Sequence, residues 1–301
     1  MSQLNSTLTR RVFLQQSSAI TAGVSCLGSL PALGMESTVE SKLKLGLVTY
    51  QWGKDWDLKE LIDHCAGTGF AGVELRSTHK HGVELNIDTA RRSEVKKKFA
   101  DSPVTLVGLG TACEYHSADP AIVQKNIEET IAWIDLCREV GGSGVKVRPN
   151  GLPKEVPIEK TLEQIGKSLL IVGKYAADFG IQIRVEVHGA GTQEIPHMKA
   201  IMDEVQHPSV AVCWNCNAAD LNGAGFTDNY AMLEERLGTI HIHDLRDGKN
   251  NYPWNELFPR LLNCKASAFT GWCLLEEGAV PTDIVAAMRE NREAFERLTK
   301  N

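Results

Sequence analysis

The sequence predicts an α/β protein, a (β/α)8 TIM barrel, and three observations carry that expectation. Eight short β-branched runs alternate with longer amphipathic segments, the arithmetic of a barrel of ordinary size. No G-x-G-x-x-G turn follows the first run, where "TYQWGKDWD" stands, as a doubly wound nucleotide-binding sheet would require. Ionisable side chains recur at the ends of the runs, where such barrels collect their functional groups.

The strands are expected at 44–50 (KLGLVTY), 72–76 (GVELR), 104–110 (VTLVGLG) and 144–149 (GVKVRP). The second half follows with 181–189 (IQIRVEVHG), 209–215 (SVAVCWN), 239–244 (TIHIHD) and 271–277 (GWCLLEE). Helices between them carry start and stop signals. "DLKELIDHCAGTG" opens at Asp57 and closes at Gly67 and Gly69. A second has Asp119 as cap, Pro120 in the first turn and Gly141 as stop, and a third runs from "TLEQIG" to Gly180. No linker or composition break follows residue 40, so residues 35–301 form one domain.

Composition excludes some functions. A formal net charge of −6 and the lack of a basic stripe argue against nucleic acid, whose phosphates demand one. The basic cluster "RRSEVKKKF" at 91–99 reads as a solvated helix face. Eight cysteines fall mostly singly in apolar segments, as small core residues do, rather than as a disulfide framework. "CWNC" at 213–216 is a C-x-x-C, but a Gly- and Asn-rich loop follows it where a thiol-acidifying helix would be needed, and no second pair completes a zinc knuckle. It is read as a barrel strand delivering Asn215, with the thiols as neighbours.

The N-terminus is different. "TRRVFLQQ", with Arg10, Arg11, Phe13 and Leu14, precedes a weakly apolar run to Leu33. This resembles a twin-arginine export signal, S/T-R-R-x-F-L, over residues 1–34. The run is shorter than the ~20 residues a membrane span takes. The resemblance implies a protein exported folded, to the periplasm or beyond.

Strand alternation sharpens the site. Ile181, Ile183, Val185 and Val187 share the face toward the helices, leaving Glu186 and His188 toward the barrel axis. His241 and His243 face inward between Ile240 and Ile242, and Glu276 shares the inward face with Trp272 and Leu274. Two carboxylates and an imidazole then converge from nearby strands, a donor set for one divalent metal ion: Mn, Mg, Zn or Co. The other strand ends bring Tyr50 and Trp52, Glu74 and Arg76, Glu114 and His116, Lys146 and Arg148, Asn215 and Asn217.

"VEVHG", "CWNCN", "IHIHDL" and "GWCLLEE" resemble the xylose-isomerase-like TIM barrels, the sugar phosphate isomerases and epimerases, over about residues 43–298. That resemblance implies metal ligation by Glu186, Asn215, His241 and Glu276, which stand 29, 26 and 35 positions apart. Asn215 departs from the family's usual Asp; it offers an amide oxygen without charge, and His188 is the alternative completing ligand. The implied chemistry is proton abstraction by one glutamate beside a metal-bound carbonyl, with Glu186 and Glu276 as the acid/base pair. His116, Lys146, Arg148, His188 and His243 are expected at sugar hydroxyls, and Tyr50, Trp52 or Trp254 against a sugar ring, with Trp214 a fourth candidate better suited to core packing. The expected partner is a small-molecule sugar or oxidised glycoside. Alternatives on the same barrel are a lyase or hydratase cleaving 3-keto-glycosides by β-elimination, and a sugar-binding protein without catalysis.

Overall fold

The computed structural model describes residues 42–300; the signal assigned to residues 1–34 lies outside them. Eight parallel strands form a closed barrel in sequence order. They are β1 (Lys44–Val48), β2 (Gly72–Arg76), β3 (Thr105–Glu114), β4 (Gly144–Arg148), β5 (Gln182–Glu186), β6 (Val210–Trp214), β7 (Leu237–Ile242) and β8 (Trp272–Leu275). The helices that follow them are α1 (Leu58–Thr68), α2 (Thr89–Ala100), α3 (Pro120–Val140), α4 (Ile158–Ala177), α5 (Ile195–Val205), α6 (Phe226–Leu233), α7 (Trp254–Leu262) and α8 (Ile284–Thr299). Closure comes from β1 pairing with β8, Leu45 opposite Cys273. The eightfold alternation read from the sequence is thus present.

Local chemistry accounts for the helix ends. At α1, Asp57 accepts from the Lys59 and Glu60 amides while Glu60 reaches back to the Asp57 amide, a reciprocal cap. Gly69, at φ 76°, turns the chain out of α1, so Gly67 lies within the helix instead of helping to close it. Asp119 caps α3 at Ala121, and Gly141 closes it at φ 87°. On α2 most of the basic residues are paired: Arg91 and Lys98 with Glu94, Lys97 with Asp101, and Arg92 with Glu139 of α3.

The outward strand faces, among them Leu45, Leu47, Val73, Leu75, Ile183, Val185, Ile240 and Ile242, are buried under the helices. Each such side chain contributes about 1.5–3 kcal/mol of transfer free energy. Inside the barrel sits a smaller apolar cluster of Val48, Val107, Trp272 and Leu274. Gly72 makes room for it, since a Cβ there would stand 2.6 Å from the Trp272 indole. Beside it Arg184 is fully buried, its guanidinium donating to the Gln182 side chain, the Val107 carbonyl and Ser143 Oγ.

Strand ends differ from expectation in ways that bear on the site. β3 runs four residues further, to Glu114, after a register shift beyond Gly110. β5, β7 and β8 stop sooner, so His188, His243 and Glu276 stand in the loops just past their strands. The segment after β6 begins with a one-turn 3-10 helix, Ala218–Leu221, capped by the Asn217 side chain. Among the described residues no helix is long and apolar enough to cross a membrane.

Candidate active site

At the C-terminal mouth of the barrel, Glu186 from β5, His241 from β7 and Glu276 after β8 come together. One ligand atom from each lies within 4.8 Å of the other two. His241 Nδ1 is 3.2 Å from Glu276 Oε2 and 3.7 Å from Glu186 Oε1. All three side chains are buried. Asn215, at the end of β6 between these strands, is buried, and its Oδ1 has no hydrogen-bond partner. An orphaned buried oxygen just past β6, the strand between those that bring Glu186 and His241, fits a divalent cation together with the two carboxylates and the imidazole, because oxygen and nitrogen donors of this kind are the ligands such a cation takes. Glu186, His241, Glu276 and Asn215 are the residues that would hold it. Asn215→Asp would add a third carboxylate, and the affinity for Mn or Zn should rise roughly tenfold or more. A chelator-competition titration checks this, and unchanged affinity would remove Asn215 from the ligand set.

Charge around this cluster is balanced by neighbours. Lys146 Nζ donates to Glu186 Oε2 at 2.7 Å, with both side chains essentially inaccessible. Burial pulls the Lys146 ammonium down, but the Glu186, Glu276 and Glu74 carboxylates outweigh it and hold it above its usual value. Burial likewise opposes ionisation of Glu186, yet Lys146 and His241 hold it well below the usual carboxylate range. For Glu276, burial and Glu186 push up, and His241 and Lys146 bring the net result below its ordinary value. His241 is pulled down by burial and pushed well up by Cys213, Glu276 and Glu74.

The expected sugar contacts stand in different settings. Lys146 is committed to Glu186. Trp52 is fully buried with its indole N–H on the Ala279 carbonyl at 2.7 Å, so it pins the β8–α8 loop and has no free face for a sugar. Trp214 is also buried, donating to Tyr252 Oη. His243 links strand ends, its Nδ1 on the Glu276 carbonyl at 2.7 Å and its Nε2 on the Asn215 carbonyl at 3.1 Å. It holds two of the proposed ligands in place. His188 Nδ1 meets Asn150 Oδ1 at 3.0 Å, and the Asn150 amide in turn donates to Glu114. Asn150 sits at φ 64° in an isolated bridge with Gly189, which fixes this relay. His116 and Glu114 line a cleft of about 650 Å³ with Ile122, Leu152, Pro153 and Glu155. Arg148 is half-buried, its Nε without a hydrogen-bond partner.

Other histidines serve the framework. His81 bridges the Arg76 carbonyl and the Val83 amide, and burial pushes it down to about 4. It therefore shapes the loop after β2, and the H-x-H formed with His79 makes no ligand cluster among the described residues. Cys213 and Cys216 are free, buried thiols.

Sequence reasoning named Glu74 only as a strand end and passed over Arg184 and Asp220. Asp220 is fully buried, accepting from Tyr252 Oη at 2.7 Å and from the Asn217 amide. Burial pushes its carboxyl up from 3.8 to about 7. It binds its proton more tightly folded than unfolded. Its contribution to stability is therefore full below about pH 3.8 and lost as pH rises toward 7. Between pH 5 and 7 this loss is about 2–3 kcal/mol, and Asp220→Asn should remove it. Denaturant midpoints across that range check the point; an identical pH slope in the variant would refute it.

Comparison with known proteins agrees with this architecture. A curated L-ribulose 3-epimerase from Methylomonas sp. (strain DH-1) is 25% identical over 221 residues, 69% of this chain and 74% of the relative. The IolI protein, solved with a zinc atom, superposes with a TM-score of 0.71 at 16% identity, covering 85% of this chain and 98% of that one. The 3-keto-D-glucoside 4-epimerase of E. coli superposes with a TM-score of 0.68 at 14% identity, covering 85% and 98%. Residues 62–298 match a family profile spanning most of the barrel, and the chain belongs to the xylose isomerase-like TIM barrel family.

Proposed function

We propose that the protein is a metal-dependent isomerase or epimerase of a keto sugar, with Glu186 and Glu276 as the proton-transferring pair. The observation that carries this reading is the placing of the two carboxylates, from β5 and β8, against one imidazole nitrogen at 3.7 and 3.2 Å. A divalent cation bound there supplies a Lewis acid for a substrate carbonyl. The chain's own residues do the rest. Lys146 holds Glu186 ionised and fixes its carboxylate, the base that accepts a proton from carbon. Glu276, whose carboxylate clusters with Glu186 and His241, takes up a proton from solvent and returns it to carbon. Return to the same carbon from the opposite face inverts it, and return to the neighbouring carbon isomerises the sugar. The epimerase relatives support this class of reaction.

The test is incubation of the metal-loaded protein with ketoses in D2O. Deuterium should enter at the carbon next to the carbonyl, and an isomer of otherwise unchanged mass should accumulate. No exchange with any ketose or keto-glycoside would sink the reading.

A second reading, a lyase acting on 3-keto-glycosides by β-elimination, is favoured by the cleft at the tops of β3–β5. No Lys or Arg lines it, and it has room for a neutral group attached to the sugar. Release of an aglycone separates this reading from the first. The twin-arginine pattern at Arg10 and Arg11 supports export to the periplasm, where free or oxidised glycosides are met rather than sugar phosphates.

A further inference from the structure

Beneath the three clustered ligands lies a carboxylate with no assigned role. Glu74, on the inward face of β2, is fully buried, and neither of its carboxylate oxygens makes a hydrogen bond. A buried carboxylate without a partner is costly to the fold, so its retention at the barrel axis calls for a compensating donor. The nearby cations direct their hydrogen bonds elsewhere. Lys146 Nζ donates to Glu186 Oε2, and Arg184 donates to Gln182, Val107 and Ser143. The nitrogen placed against Glu74 is that of His241: its Nε2 lies 3.4 Å from Glu74 Oε1 and is itself without a hydrogen-bond partner. β3 makes space for this pair. Gly108 is the register partner of Glu74, and a Cβ on Gly110 would come within 3.0 Å of Glu74 Oε1.

We propose that Glu74 is a positioning residue: it accepts the Nε2–H of His241 and thereby fixes the tautomer and ring angle that aim the Nδ1 lone pair between Glu186 and Glu276, toward a divalent cation. His241 is the one nitrogen donor in the cluster, so its ring orientation decides whether the three ligands converge. A carboxylate behind a ligating imidazole also raises the basicity of the ligand. The Cys213 thiol also interacts with His241, but sulfur is a weak acceptor and cannot replace the carboxylate. This inference rests on the metal-site reading above.

The experiment uses zinc alone as the probe, with affinity from chelator competition in the parent, Glu74→Gln, Glu74→Met and, as control, Cys213→Ala. Loss of the carboxylate should weaken zinc binding about 10- to 100-fold, with Glu74→Gln nearer the lower end because its amide oxygen still accepts. Cys213→Ala should stay near the parent. Long-range 1H–15N correlation on the zinc-loaded parent needs no substitution, and should show His241 protonated at Nε2 with zinc on Nδ1. Zinc on Nε2, or a folded Glu74→Gln and Glu74→Met both binding as tightly as the parent, would overturn the role of Glu74 while leaving the metal site standing. A parent that takes up no zinc would overturn the metal centre and this inference together.

Discussion

Glu186→Gln is expected to lower kcat by roughly 10³-fold, within the range that a positioned acid–base group supplies, and to destabilise the protein in the same step. Both effects trace to one carboxylate. Glu186 faces His241 with one oxygen and holds Lys146 with the other. Removing its charge takes away the proton acceptor and leaves a fully buried ammonium facing an uncharged amide. Breaking a buried ion pair from one side costs about 3–5 kcal/mol. Deuterium exchange into a ketose reads the first effect, and urea denaturation the second. A Glu186→Gln protein that exchanges deuterium at the parental rate would remove Glu186 from the chemistry.

Lys146→Met is expected to lose about as much stability, again about 3–5 kcal/mol, or roughly 10 °C in Tm for a domain of this size. The reason is the mirror image: Glu186 keeps its charge in a site that admits almost no water. Saturating divalent metal should return part of that loss, because a cation that binds only the folded state stabilises it by mass action. The double variant Lys146→Met with Glu186→Gln should be more stable than the sum of the single losses predicts, since neither member of the pair is then left as a charge without the other. Additive losses in the double variant would show that the 2.7 Å pair contributes nothing. If Lys146 instead reached a sugar hydroxyl, its replacement would raise KM and leave Tm nearly unchanged.

These two residues show how far the sequence could be read. Glu186 was legible because strand alternation is local: once Ile183 and Val185 are assigned to the helix side, Glu186 must face the axis. The same rule located His241, His243 and Glu276. The helix caps at Asp57 and Asp119 were legible for a similar reason, because their partners lie within a few residues. Lys146 also faces inward by that rule, but its partner stands 40 positions away on the next strand. Only the relative height of β4 and β5 in the barrel decides whether its ammonium meets Glu186 or open solvent.

Trp52 shows the same limit from the other side. An aromatic residue just past the first strand suited a sugar ring, yet its indole is closed over by the loop after β8, 227 positions later. Glu74 and Arg184 are buried ionisable side chains whose meaning depends on glycines in neighbouring strands that leave them room. The sequence by itself determined the barrel, the inward face of each strand and the residue types at the mouth, because hydrophobic period and capping chemistry act over a few residues. The tertiary structure alone decided which inward side chains meet, since stagger between strands sets their heights along the axis, and in a low-dielectric interior an ångström of height separates an ion pair from an orphaned charge.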